Sequence, residues 1–262
     1  MSAPSFLLDG RAAVVSGASS GLGLCTAHAL AEAGAYVAIT YLSSQSADED
    51  AAETEHISWD VTRAQDVDVV IHQVLRDFNG RLDLFVANCG IAWNETGVLD
   101  SSISHYREIM STNLGGFYHC ARAAGQHFRR QARDQVTVYG APLLDFWKRS
   151  FMATAIKSGH TVNFPHIQTA YNASKAGVIY MCKSLAVEWV DFARVNTISP
   201  GFIESGLTAA VPDVKDTLRE KTPFHRIGDL KELTGAYLYL ALDASTFTTG
   251  TDLIIDGGYT LW

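Results

Sequence analysis

Residues 12–23 read Ala12-Ala13-Val14-Val15-Ser16-Gly17-Ala18-Ser19-Ser20-Gly21-Leu22-Gly23. Ala12 to Ser16 is a short apolar run and predicts a buried strand. The glycines follow at once, spaced G-x-x-x-G-x-G, and Leu24 to Gly34 then carries the apolar spacing of a helix with a glycine at its end. Tyr36 to Tyr41 predicts a second strand. Strand, glycine-rich turn, helix and strand in that order open a dinucleotide-binding fold. The glycines let the backbone turn tightly and approach a diphosphate closely, and the helix N-terminus offers it free N–H groups and a partial positive charge. A glycine loop alone is equally a capped turn; here the flanking strand and helix supply the context that the cofactor reading needs.

Further on, residues 42–56 are polar and acidic, with Asp48, Glu49, Asp50, Glu53 and Glu55, and predict a loop with at most a short helix. His56 to Asp60 reads as a third strand, Ala64 to Phe78 as an amphipathic helix, and Leu82 to Ala87 as a strand ending in Asn88-Cys89-Gly90. Ser104 to Gln131 reads as one long helix and Ala132 to Ser150 as a loop insertion. Phe151 to Ile156, Ala193 to Ile198 and Asp252 to Asp256 read as strands. Helices are expected from near Tyr171 to about Phe192 and over Asp229–Leu242, with loop and short helix over 202–225. Strands alternate with helices and no linker or repeat intervenes. The expectation is an α/β fold, a doubly wound parallel sheet (Rossmann fold) in a single domain over 1–262.

Composition narrows the function. The 262 residues are 47% hydrophobic and carry a formal net charge of -8 without a basic stripe, which argues against nucleic acid as a partner. Cys25, Cys89, Cys120 and Cys182 are far apart and form no C-x-x-C or zinc-like pattern, so no metal is expected and the thiols read as buried groups in a reducing compartment. The first ten residues lack a signal-peptide pattern, and no run of eighteen apolar residues occurs; a cytoplasmic protein with no membrane contact is expected.

The chemistry points to Tyr171-Asn172-Ala173-Ser174-Lys175 and to Ser158 upstream. Positions i and i+4 share a helix face, so Tyr171 and Lys175 point the same way. An ammonium one turn away favours the phenolate and lowers the phenol's pKa, making Tyr171 a usable proton donor to a carbonyl oxygen. Ser158, placed opposite, hydrogen-bonds the same oxygen. Y-x-x-x-K also occurs on ordinary helices as a packed aromatic and a solvated lysine, and the rest of the chain decides between the two.

These residues closely resemble the short-chain dehydrogenase/reductase family over nearly the whole chain. The matching pieces are Gly17-x-x-x-Gly21-x-Gly23, Asp60-Val61, Asn88-Cys89-Gly90, Asn113, Ser158, Tyr171-x-x-x-Lys175, Pro200-Gly201 and Asp256-Gly257-Gly258. Val86-Ala87-Asn88, residues 119–125 and Ser158 to Asn163 are similar to the sorbose-reductase and NADP-dependent mannitol-dehydrogenase branch, a background that many fungal biosynthetic reductases share. The resemblance implies an NADP(H)-dependent enzyme that reduces a ketone to an alcohol. An imine or iminium reductase is the alternative, and a non-catalytic dinucleotide sensor a third reading.

It also implies roles. Asn113, Ser158, Tyr171 and Lys175 form a catalytic tetrad, in which Asn113 anchors a water and Lys175 also holds the nicotinamide ribose. Gly17, Ser19, Ser20, Gly21, Leu22 and Gly23 line the diphosphate; Tyr41, Ser43 and Ser44 lie toward the adenosine 2′-phosphate. Asp60 and Val61 contact adenine, Asn88 and Gly90 its ribose side, and Pro200, Gly201, Ile203 and Ser205 face the nicotinamide. The strand before Ser43 ends without a carboxylate, which favours NADP(H) over NAD(H). Trp93, His160, His166 and Phe202 are expected to wall the substrate pocket. Its apolar, aromatic character leans toward a bulkier ketone or imine over a free ketose. Relatives imply a homotetramer. Phe146 and Trp147, in Leu144 to Arg149, match no family motif and read as a surface loop or an edge of the pocket.

Overall fold

All five residues of β1 (Ala12–Ser16) are buried, as a strand covered on both faces of a parallel sheet requires. A computed structural model describes residues 6–42, 54–95, 97–135, 148–164, 167–205 and 215–261. Around β1 stand β2 (Tyr36–Tyr41), β3 (Thr54–Ser58), β4 (Leu84–Ala87), β5 (Ser150–Thr154), β6 (Arg194–Pro200) and β7 (Asp252–Ile255). They form one sheet in the order β3-β2-β1-β4-β5-β6-β7, every neighbouring pair parallel. Register runs through Val15↔Val86 and Ala87↔Ala153 in the centre to Pro200↔Ile255 at the edge.

The helices are α1 (Gly21–Glu32), α2 (Ala64–Asp77), α3 (Ile103–Ile109), α4 (Phe117–Gln135), α5 (Thr169–Glu188), α6 (Lys215–Lys221) and α7 (Lys231–Ala241). Side chains alternate across a strand, and the central strands sort accordingly. Val14, Phe85 and Phe151 face a core shared with Val70 and Val74 of α2, Phe117 and Phe128 of α4, and Trp189 beyond α5. Val15, Val86 and Met152 face the other core, with Leu30 of α1 and Leu233, Tyr237 and Leu240 of α7. Phe85 stacks on Phe151 at 5.4 Å between centroids, and Trp189 meets Phe151 edge-on at 5.6 Å. Each such buried large side chain contributes roughly 1.5–3 kcal/mol relative to exposure.

The doubly wound sheet is as the sequence predicts; several boundaries differ. α1 starts at Gly21, with Ser20 as its N-cap, so the last glycines of the loop lie in the first turn rather than before it. β3 spans Thr54–Ser58, not His56–Asp60. The helix expected over Ser104–Gln131 is helical from Ile103 to Gln135 but passes through a π-helical segment, Met110–Gly116. Ala132 to Gln135 therefore belong to α4, and Ser150 to β5, rather than to a loop. Asp48, Glu49 and Asp50, and Leu144 to Trp147 with Phe146, lie outside the described residues.

The sheet order sets the site. The chain leaves β1 toward β2 and β3, then crosses back to lay β4 on the other side of β1. The crevice at the C-terminal ends of β1 and β4 is a topological switch point, where ligands of open α/β sheets bind.

Candidate active site

Gly17 to Gly23 leave β1 directly into this crevice. Asn88, one residue past β4, donates from its side-chain amide to the Gly17 carbonyl at 3.0 Å. A Cβ at Gly23 would stand 2.4 Å from that carbonyl and 2.6 Å from Asn88 Nδ2, so only glycine allows this closeness. Ser16 Oγ accepts from the backbone N–H groups of Asn88 and Cys89 at 3.0 and 3.3 Å, locking the β1 and β4 ends together. Behind Asn88 runs a buried relay: the Tyr237 hydroxyl lies 2.6 Å from Thr154 Oγ1, which donates to Asn88 Oδ1 at 3.0 Å.

The start of α1 fits an anionic group. Its N-cap residue Ser20 makes no side-chain capping bond and the first turn holds no acidic residue. Gly21 sits at φ +58, and a Cβ there would meet nothing within 4 Å. The N-terminal N–H groups and the helix dipole thus face open space beside Ser19, Ser20 and Leu22, as a diphosphate requires.

On the adenine side, Tyr41 ends β2; Ser43 and Ser44 lie outside the described residues. Asp60 Oδ1 accepts from the N–H and hydroxyl of Thr62 at 2.9 and 2.7 Å, fixing the turn after β3. The Val61 carbonyl is hydrogen-bonded by His119 Nδ1 at 2.9 Å, and its side chain packs on Gly116 of the π segment.

The tetrad residues come from three elements. Lys175 and Tyr171 lie one turn apart on α5, both buried. Lys175 Nζ donates to the Thr154 carbonyl at the end of β5, at 3.0 Å, and stands 5.9 Å from the Tyr171 ring centre. Ser158 lies in a 3-10 turn, Lys157–Gly159, just beyond β5. That turn sits directly on α5: a Cβ at Gly159 would come within 2.6 Å of Ile179 Cδ1 and 3.1 Å of the Ala176 nitrogen. Asn113, from the π segment, clamps the loop after β4. Its Oδ1 accepts from Ile91 N–H at 2.8 Å and its Nδ2 donates to the Ile91 carbonyl at 3.0 Å. A Cβ at Gly90 would lie 3.3 Å from Asn113 Oδ1 and 3.4 Å from Lys175 Nζ, which puts all three residues together. A small cavity beneath them is lined by Ser16, Cys89, Asn113, Thr154 and Lys175, among others.

Burial governs the titration here. It pushes the Tyr171 phenol up to about 12 and the Lys175 ammonium down to about 8. From its place one helical turn away, Lys175 is expected to pull the phenol down. Burial acts in the opposite direction, and Tyr171 holds its proton at pH 7.

Of the four residues expected to wall the pocket, Trp93 is buried in a cluster with Tyr171, Ile109 and Ala170, against which Ile91 and Ile156 pack, and its ring lies 4.9 Å from that of His105. Phe202, after β6, meets Tyr259 edge-on at 5.1 Å. His160 is placed differently from the expectation: its Nε2 hydrogen-bonds Asp252 Oδ2 and lies 3.4 Å from Ser199 Oγ, so its imidazole is committed to β6 and β7. His166 lies outside the described residues. Pro200 ends β6 and Gly201 follows, its N–H donating to the Ile255 carbonyl at 2.8 Å. Ile203 bridges to Gly228, and Ser205 closes this described segment.

Sequence reasoning missed two residues at the site. Lys157 is fully buried, and Asn163 joins it to Ser158 Oγ. The available signal was a lysine inside the apolar run Ala155-Ile156-Lys157, next to Ser158.

Comparison with known proteins agrees with this geometry. The family model described as "Enoyl-(Acyl carrier protein) reductase", of the short-chain dehydrogenase/reductase family, matches residues 17–260. An L-xylulose reductase of Hypocrea jecorina is 51% identical, the alignment covering 98% of this chain and 93% of the relative. An NADP-dependent mannitol dehydrogenase of the same species is 42% identical over 97% of this chain and 94% of the relative. Among solved structures, the NADPH-dependent 3-quinuclidinone reductase of Rhodotorula rubra superposes with a TM-score of 0.87 at 36% identity, covering 100% of this chain and 98% of the other. On the family model over residues 17–260 and these relatives along nearly the whole chain, the chain belongs to the short-chain dehydrogenase/reductase family and is an NAD(P)H-dependent oxidoreductase.

Proposed function

We propose that this protein reduces a ketone of the open-chain ketose kind to the corresponding alcohol, using NADP(H). The observation that carries the reading is that α5 sets Tyr171 and Lys175 one turn apart, with Lys175 bonded to Thr154 at the end of β5 and the Ser158 turn packed on the same helix. Gly17, Ser19, Ser20, Gly21, Leu22 and Gly23 would hold the diphosphate, Asp60, Val61 and Gly90 the adenosine side, and Pro200, Gly201, Ile203 and Ser205 the nicotinamide side. When bound, the reduced nicotinamide supplies the hydride for the carbonyl carbon. Tyr171, neutral at pH 7, gives its proton to the carbonyl oxygen as negative charge develops there. Ser158 donates a hydrogen bond to the same oxygen, and the Lys175 ammonium favours the phenolate that Tyr171 becomes.

The ketose reading draws on the 51% identity to an L-xylulose reductase and the 42% identity to a mannitol dehydrogenase. A bulkier, partly apolar ketone is the second reading, favoured by the buried Trp93 beside Tyr171 and by the likeness to a quinuclidinone reductase. NADPH oxidation followed with L-xylulose, fructose and 3-quinuclidinone separates the two. The ketoses are expected to show the higher kcat/KM, and a preference for 3-quinuclidinone selects the second reading. NADPH is expected to bind more tightly than NADH; equal affinity contradicts the cofactor preference.

The assembly we propose is a homotetramer. Tyr118 of α4 and Tyr180 and Val187 of α5 are exposed apolar residues on the helices that would pair, and closed symmetry buries such faces. Among the described residues no helix is long and apolar enough to cross a membrane.

A further inference from the structure

Beside Ser158, the Lys157 side chain is wholly buried, which is rare for a lysine without dedicated partners. Its ammonium stands 3.9 Å from the Phe202 ring centre and 4.1 Å from that of Tyr259, and it hydrogen-bonds Asn163 Oδ1. Phe202 follows β6 and Tyr259 follows β7, so segments beyond three adjacent strands converge on one cation.

The hydrogen-bond directions follow from the charge. An ammonium only donates, so it holds the Asn163 carbonyl oxygen toward itself. The Asn163 amide nitrogen must then face the other way, where its two hydrogens go to Ser158 Oγ at 2.7 Å and Gln168 Oε1 at 2.6 Å. Ser158 Oγ accepts, and its own hydrogen is left to be given elsewhere.

We propose that Lys157 is a positioning residue for the reduction: its ammonium fixes the Asn163 amide, and that amide sets the Ser158 hydroxyl as a donor toward the substrate carbonyl. This rests on the reading of Ser158 as a partner of that carbonyl. Lys157 acts through Asn163 and not on substrate or cofactor directly. A neutral amine at this position both donates and accepts, so loss of the charge frees the amide to turn and Ser158 to point its hydrogen at Asn163.

Burial depresses Lys157 to about 7, opposed by Asp256. Other titratable groups on the packed elements include Tyr259 after β7, Tyr171, Lys175 and, further along α5, Tyr180, Cys182, Lys183 and Glu188, and His160 on its own turn, committed to Asp252. Lys221 of α6 donates to the Phe164 carbonyl at 2.7 Å.

The experiment compares the full-length protein with Lys157→Met and Asn163→Asp. It reads kcat and KM for L-xylulose from pH 6 to 9, NADPH affinity by fluorescence, and the Cε resonances of 13C-lysine-labelled protein. Lys157→Met keeps the packing volume and removes the charge. Its kcat at pH 6.5 is expected to fall about tenfold, with NADPH affinity within twofold, and to lack the decline through pH 7 that is expected of wild type. Asn163→Asp keeps a partner for Lys157, which favours folding, but presents Ser158 with acceptors only; kcat is expected to fall about 10²-fold, the scale of losing one oxyanion donor. The Cε signal absent from Lys157→Met is expected to titrate near neutrality, and to move upward in Asn163→Asp because a carboxylate favours the ammonium. A folded Asn163→Asp with kcat within twofold of wild type overturns the proposal, as does a Lys157 signal that stays where it is in Asn163→Asp. If wild type turns over no ketose, the proposed function fails separately, while the Lys157 titration and its displacement in Asn163→Asp still decide whether the ammonium orders this amide.

Discussion

Asn88 reaches back from the end of β4 and donates to the Gly17 carbonyl at 3.0 Å, tying the glycine loop to the strand on the far side of the switch point. Its own carbonyl oxygen accepts from Thr154, which in turn lies against Tyr237 of α7. The loop is therefore held from behind by a buried polar chain, and such chains are costly to leave half satisfied.

Replacing Asn88 with Ala removes both hydrogen bonds. NADPH affinity is expected to drop about tenfold, corresponding to one net hydrogen bond of about 1.4 kcal/mol. Tyr237→Phe, one link further back, is expected to weaken it by less. Fluorescence titration of NADPH checks both, and an unchanged Kd in Asn88→Ala means the loop holds its shape without this support.

Gly159→Ala tests how Ser158 is placed. The added Cβ would lie within 2.6 Å of Ile179 Cδ1 and 3.1 Å of the Ala176 nitrogen. The side chain can yield but the backbone of α5 cannot, so the turn must lift. We expect a destabilisation of about 1–3 kcal/mol and at least a tenfold fall in kcat. Urea unfolding and initial rates measure the two; wild-type kcat in a destabilised variant would show that the position of Ser158 is not critical.

Lys175 sets a pH limit. Burial lowers its pKa to about 8, so the ammonium is present below that value and lost as pH rises through it. Tyr171, pushed up to about 12, stays protonated across the same range. The reductive kcat/KM is therefore expected to decline with rising pH around 8, through the loss of the lysine charge and not of the tyrosine proton. A profile flat from pH 7 to 10 would remove Lys175 from the charge balance of the site.

The assembly is checked by light scattering at micromolar concentration. A homotetramer gives about four times the 28.5 kDa of the chain; a species of chain mass alone is inconsistent with paired α4 and α5 faces.

Much of this was legible in the chain. The run from Ala12 to Tyr41 contains its own strand, glycine turn, helix and strand because each obeys a local rule of period or backbone freedom. Tyr171 and Lys175 are one helical turn apart by number alone. What stayed hidden depends on tertiary contact. β3 is a sheet edge, where burial on both faces is not required, so its limits left little periodic trace. The π segment at Met110–Gly116 keeps a helical composition and shifts only the hydrogen-bond pattern. His160 pairs with Asp252, 92 residues along the chain, and no spacing rule reaches that far. Lys157 draws no reading from sequence, since the rings of Phe202 and Tyr259 that enclose it come from segments beyond two other strands. The depressed phenol pKa expected from Lys175 also failed, because spacing along a helix says nothing of how deeply both groups are buried.

The central claim is that Tyr171 delivers the proton. Tyr171→Phe keeps the ring in its cluster with Trp93 and Ile109 and removes only the hydroxyl. The decisive measurement is kcat for NADPH oxidation with L-xylulose, taken beside the NADPH dissociation constant of the same preparation. A fall in kcat of at least ~10²-fold is expected, the scale of general acid catalysis, with the dissociation constant within twofold of wild type. Turnover near the wild-type rate in Tyr171→Phe would contradict it.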